Sequence, residues 1–128
     1  MHRLINEHPE RVSFAIGTFP VFDLLSSFDI IQSCRKAWGT SDKLHFKKII
    51  SGRNPPDFVE HLTKHKYIIG HGMDDTSVPI KENSIKFRDI INGLGGNVKL
   101  HTSTGGHSIK DYSVYDNEAI ESALLRYS

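Results

Sequence analysis

Three short apolar runs separated by stretches with helical spacing predict an α/β protein, a parallel sheet flanked by helices on both faces. The runs lie at residues 12–17, 67–70 and 97–102, and the clearest helical stretches at residues 84–94 and 117–127. The middle run, Tyr67-Ile68-Ile69-Gly70, has no polar alternation, as a strand buried on both faces requires. With only three strands, the pattern describes the carboxyl-terminal half of a doubly wound sheet.

Size and composition narrow the function classes. At 128 residues, 38% hydrophobic and 24% charged, the chain fits one globular domain spanning residues 1–128. Sixteen Lys and Arg against 15 Asp and Glu leave a formal charge of +1, with no basic run carrying interleaved aromatics, so no nucleic-acid partner is expected. No apolar stretch approaches a membrane span, and the first residues do not read as a signal peptide. The single cysteine, Cys34, allows neither an internal disulfide nor a thiolate metal cluster. A reduced, cytoplasmic setting and no cofactor are the resulting expectations.

In chain order, residues 1–7 read as a helix carrying Leu4 and Ile5, broken by His8-Pro9-Glu10-Arg11. The first strand follows at residues 12–17, and residues 19–37 read as mostly helical. Trp38-Gly39-Thr40-Ser41-Asp42 is a turn, with Asp42 capping a helix that carries Leu44, Phe46, Ile49 and Ile50. Asp57 is expected to cap a helix over residues 58–64, after the Pro55-Pro56 loop. Beyond the second strand, Ser84, Phe87, Ile91 and Leu94 share one helical face, and Gly95-Gly96 stops the helix. The third strand, 97–102, alternates as an edge strand would; the last helix turns Ile120, Ala123, Leu124 and Tyr127 inward.

Two loops carry the chemistry. Gly70-His71-Gly72-Met73-Asp74-Asp75-Thr76-Ser77-Val78-Pro79 leaves the second strand, and Ser103-Thr104-Gly105-Gly106-His107-Ser108 leaves the third. In an open α/β sheet both loops face the ligand crevice. An aspartate and a histidine brought together there suit acyl transfer, the carboxylate fixing the imidazole tautomer while the ring takes a nucleophile's proton. Taken alone, either aspartate is as readily a helix cap, and His107 as readily a polar loop residue.

The sequence His71-Gly72-Met73-Asp74-Asp75-Thr76-Ser77-Val78-Pro79, followed by Gly105-Gly106-His107, resembles the carboxyl-terminal part of an α/β-hydrolase, and more narrowly the prolyl oligopeptidase family of serine peptidases. The stretches Asn6-Glu7-His8-Pro9-Glu10-Arg11-Val12, Pro20-Val21-Phe22-Asp23-Leu24-Leu25 and Trp38-Gly39-Thr40-Ser41-Asp42 extend the resemblance over most of the chain. The resemblance implies that Asp75, not Asp74, is the triad aspartate, that His107 is the triad histidine, and that a peptide is the substrate. Two departures stand against it. No G-x-S-x-G nucleophile motif occurs in the 128 residues, and Ser77 stands where prolyl oligopeptidases often carry arginine, which bears on proline specificity.

By the resemblance Met1 falls on the nucleophile helix, only a turn or two beyond the serine. The chain is therefore expected to be the Asp- and His-bearing part of a peptidase, inactive alone, as a gene fragment or one part of a split enzyme. Ser77, Ser103 and Ser108 lie near the two loops but lack the strained elbow and oxyanion donors a nucleophile needs. Two other readings are weighed: a non-enzymatic remnant that binds a partner or a second copy through an exposed sheet edge, and a metal site built from His71, Asp74, Asp75 and His107. The last has no ligand pair at i, i+4 on a predicted helix, since His71 and Asp75 sit where a strand passes into a loop.

Overall fold

A computed structural model describes residues 2–29, 32–108 and 110–127. Three parallel strands, β1 (Phe14–Thr18), β2 (Lys66–Gly72) and β3 (Asn97–Ser103), form one sheet in the order β1-β2-β3. Phe14 pairs with Lys66 and Thr18 with Gly70; on the other side Lys66 pairs with Asn97 and Gly72 with Ser103. The three carboxyl ends therefore lie nearly level, and the loops that leave them are neighbours. β2 is the central strand, and its residues from Tyr67 onward are buried.

The side chains of β2 alternate between two layers. Tyr67 and Ile69 enter the main core with Ile5, Phe22, Leu62, Phe87, Ile91 and Val98. Tyr67 and Phe22 each lie about 5 Å from the Phe87 ring, and the Tyr67 hydroxyl donates to the Leu62 carbonyl at 2.9 Å. That interior position raises the Tyr67 pKa through burial. Ile68 faces the opposite layer, against Ala119 and Ala123 of the closing helix. Gly70 shares that face, and a methyl group there would overlap the Val114 carbonyl. The chain returning from β3 crosses the sheet at that point with no room for a side chain.

The helices are α1 (His2–Glu7), α2 (Gln32–Ala37), α3 (Lys43–Ile50), α4 (Val59–Leu62), α5 (Lys86–Gly93) and α6 (Asn117–Tyr127). Asp42 caps α3 as its position predicts, its carboxylate accepting from the Leu44 amide at 2.8 Å. Phe46 and Ile50 of α3 form a satellite cluster with Phe28, while Leu44 points outward at 64% exposure. α5 ends in a Schellman turn: Gly96 N–H donates to the Ile91 carbonyl and Gly95 N–H to that of Asn92, with Gly95 at φ 83°. Among the described residues, no helix is long and apolar enough to cross a membrane.

Several expectations are corrected. β1 begins at Phe14 rather than Val12 and runs through Thr18. Residues 19–29 form an extended segment and turns, with helix confined to Gln32–Ala37; residues 30 and 31 lie outside the described set. The reason lies far along the chain. The Asn83 side-chain oxygen accepts the amides of Phe22 (2.9 Å) and Asp23 (3.3 Å), and that of Asn54 accepts Leu24 (2.9 Å), so donors a helix would use are bound elsewhere. Asp57 does not cap α4; it lies in a 3-10 turn (Pro55–Phe58) and accepts from the Gly52 amide. Leu94 is 53% exposed because the Schellman turn begins there, and Leu124 is 54% exposed because Ala119 and Ala123 take the buried side of α6. Tyr127 has no described side chain.

Asp23 joins the same tie. Burial pushes its carboxyl up, but hydrogen bonds from Asn54 and Lys86, with the lysine charge, outweigh this and hold it below its ordinary value. Asn83 is fully buried and also donates to the Pro79 carbonyl, so it fastens the segment after β1 to the segment before α5. Asn83→Ala strands the buried Phe22 amide and is expected to cost about 3 kcal/mol. A urea titration should show a lower midpoint with an unchanged slope; an unchanged midpoint would remove Asn83 from this role.

Candidate active site

The loop after β2 is shaped by its own carboxylate. Asp75 Oδ1 accepts the amides of Ser77 (2.9 Å) and Val78 (2.7 Å), a turn that aspartate forms readily on its own backbone. This leaves Oδ2 facing the neighbouring loop, where His107 Nδ1 lies 2.8 Å away. The Asp75 side chain is fully buried, while that of His107 keeps 42% of its surface exposed. Nδ1 donates to the carboxylate, so Nε2 is left with a lone pair to accept a proton. The two loops are laced by backbone bonds that continue the β2–β3 ladder: Met73 N–H to the Ser103 carbonyl (2.8 Å) and Asp74 N–H to that of Gly105 (3.1 Å).

The structure thus brings together the two residues singled out from sequence, Asp75 and His107. Asp74 is exposed and contributes backbone to this lacing. Among the described residues, Ser103 is 7% exposed with no hydrogen-bond partner for its hydroxyl, whereas Ser77 gives its amide to Asp75 and the Ser108 hydroxyl accepts the Lys110 amide. Among the described residues, no group of three or more His, Cys, Asp or Glu side chains is placed to hold a metal ion.

Two further participants complete the site: His71, which the sequence offered only as a candidate metal ligand, and Phe19, which it did not single out for the site. His71, with a fully buried side chain, places Nε2 at 2.8 Å from the Val78 carbonyl and 3.2 Å from Asp75 Oδ2. The carbonyl can only accept, so Nε2 carries the proton and Nδ1 accepts from the Ser84 hydroxyl at 2.6 Å. Ser84 and Asn83 reach inward as neighbours because Lys81–Ile85 forms a single π turn ahead of α5, marked by the Ile85 N–H to Ile80 carbonyl bond. The other participant is Phe19, whose ring lies 5.5 Å from that of His71 and 4.8 Å from that of His107. The partners of His71 at Asp75 and Val78 lie within the same strand-to-loop stretch, whereas the Phe19 contacts join segments distant in the chain and no local sequence signal marks them.

Burial lowers the His71 pKa, against the upward pull of the Val78 carbonyl and of Asp75, with the nearby His107 adding to the lowering. The neutral ring is thereby kept as a hydrogen-bonding strut.

Comparison with protein-family models and with curated protein sequences finds no match. Among solved structures, the chain is similar to the acylaminoacyl peptidase of Pyrococcus horikoshii, with a TM-score of 0.68 and 15% identity. The similarity covers 88% of this chain and 19% of that one, so the chain spans about a fifth of the neighbour's length. At this identity the likeness concerns the fold, and it settles the fold class: three parallel strands with flanking helices, forming part of an α/β-hydrolase fold.

Two measurements check the site's construction. A methyl group at Gly72 would overlap the Gly105 carbonyl and lie 2.5 Å from that of Gly106. Gly72→Ala is therefore expected to cost about 1–3 kcal/mol and to displace the His107 loop, read by chemical denaturation and amide shifts of Gly105 and Gly106. Gly93→Ala, where a methyl meets nothing within 4 Å, is the control and should not destabilise. The second measurement concerns pH. With the folded-state pKa of His71 below the unfolded value of about 6.5, the unfolded chain takes up the proton first as pH falls. The contribution of His71 is complete above about pH 6.5 and is lost progressively below it until the folded ring itself protonates. Unfolding titrations should show this acid-side loss in the native chain and a smaller one in His71→Gln; equal losses would contradict it.

Proposed function

We propose that this chain supplies the aspartate and histidine of a serine-type acyl-transfer site, in the catalytic domain of a peptidase distantly related to the prolyl oligopeptidases. The observation that carries the proposal is the 2.8 Å bond from His107 Nδ1 to Asp75 Oδ2, made between loops at the carboxyl ends of adjacent parallel strands. Such a pair does one job well. A serine hydroxyl placed at His107 Nε2 gives up its proton as it attacks a carbonyl carbon; the imidazolium is stabilised by Asp75 and then protonates the leaving amine. Water repeats the sequence on the acyl-enzyme. The likeness to an acylaminoacyl peptidase supports a peptide as the acyl donor.

The nucleophile is assigned to polypeptide outside these 128 residues, since no G-x-S-x-G occurs within them. The outer edge of β1 is where that polypeptide would join. Among the described residues β1 pairs on one side only, and a groove of about 480 Å³ runs beside it, lined by Ile5, Arg11, Val12, Phe14, Ala15 and Ile16. A parallel strand added there would cover the edge and bring its own carboxyl-terminal loop towards Phe19 and His107. The same exposed edge favours a second reading, in which the chain is a binding module that takes a partner, or a second copy of itself, by strand addition.

The coding sequence upstream of Met1 is expected to encode a G-x-S-x-G segment, and coexpression of that segment should yield a product labelled by a fluorophosphonate. Asp75→Asn and His107→Ala should each reduce the labelling rate by roughly three to four orders of magnitude. The 128-residue chain alone should not label. Labelling indifferent to both substitutions would overturn the assignment. A clean intergenic region, together with a stable dimer by light scattering, would favour the binding module.

A further inference from the structure

We propose that Phe19 is a positioning residue for His107, holding the imidazole plane so that Nε2 faces the crevice while Nδ1 stays on Asp75. The proposal rests on the reading of the Asp75–His107 pair given above, and adds a part to it.

The backbone shows that something holds Phe19 in place. It has φ 48°, and it is the only non-glycine residue with positive φ among those described. A residue before proline is pushed towards extended backbone, and Pro20 follows directly. Both local preferences are overridden. The Phe19 amide is fixed to the Gly70 carbonyl at 3.0 Å, at the very end of β1, and the residue is buried, at 6% exposure. Conformations of this kind persist where surrounding contacts over-determine them.

Those contacts include both imidazoles of the site. The ring meets His71 nearly edge-on, with an interplanar angle of 78° at 5.5 Å, and lies tilted by 43° over His107 at 4.8 Å. His71 is already clamped through both nitrogens by Ser84, Val78 and Asp75. His107 is not. Its side chain is 42% exposed and, among the described residues, its hydrogen bond is the one from Nδ1 to Asp75. A single bond fixes one atom of a ring and leaves the plane free to swing about it. Contact with Phe19 supplies the second constraint, and because His71 backs the same phenyl ring, that constraint is stiff. The phenyl ring also lies against both imidazoles bonded to Asp75 Oδ2, so it limits water entry to the Nδ1–carboxylate bond.

The test uses the 128-residue chain and does not depend on catalysis. The downfield proton resonance of His107 Nδ1–H is recorded in the native chain, in Phe19→Gly and in Phe19→Leu. Glycine accepts φ 48° without strain and removes only the ring; leucine restores apolar cover. The expected result is loss of the resonance through exchange with water in Phe19→Gly, with the β2 and β3 amide spectrum retained, and its recovery in Phe19→Leu. A resonance that survives in Phe19→Gly overturns the proposal. So does loss of the amide spectrum together with the resonance, since that marks a residue needed only for folding. Failure of the hydrolase reading would show separately, in the fluorophosphonate experiment, with the Phe19 result unchanged.

Discussion

A fully buried carboxylate must be met by donors on every side, and the site region of this molecule is arranged to meet one. Asp75 Oδ1 takes two amides from its own loop, and Oδ2 takes His107 from the adjacent loop and His71 from its own strand. Burying a charge without such partners is prohibitively costly. Satisfying this one fixes the turn after β2, draws the loop after β3 towards it, and sets the tautomers of two histidines. Each donor is in turn held by something else: His71 by Ser84, Ser84 by the π turn, and His107 by Phe19.

The glycines make this closeness possible. Gly70 and Gly72 share the face of β2 opposite the main core, and both lie where another chain segment passes without room for a methyl group. Gly70 receives the backbone of Val114, and Gly72 that of Gly105 and Gly106. The crossing chain is thereby pressed onto the sheet, and His107 reaches Asp75 across adjacent strands. On the other face, the Asn83 and Asn54 amides tie the segment after β1 to distant elements. That tie sets Phe19 over the histidines.

Where local chemistry governs, the fold was legible in the sequence. The apolar runs gave the three parallel strands, Asp42 marked the start of α3, and Gly95-Gly96 marked the end of α5. The pairing of Asp75 with His107 was reachable from their places after successive strands, and the family pattern chose Asp75 over Asp74. What escaped was set by distant partners. Residues 19–29 have helix-compatible composition, yet Asn83 and Asn54 take their amides. Periodicity carried Leu94 past the point where the backbone leaves the helix. The inward turn of Phe19 opposes its local preferences, so no window of sequence could show it.

The central claim is that His107 is held as a base, with Nδ1 protonated against Asp75 and Nε2 open, while His71 is held in the opposite tautomer as a strut. Long-range nitrogen–proton correlation of the imidazoles, taken at a pH where both rings are neutral, reads this directly. The predicted pattern is Nδ1–H for His107 and Nε2–H for His71. An Nε2–H tautomer at His107 would contradict the account, because Nε2 would then have no lone pair to accept a nucleophile's proton.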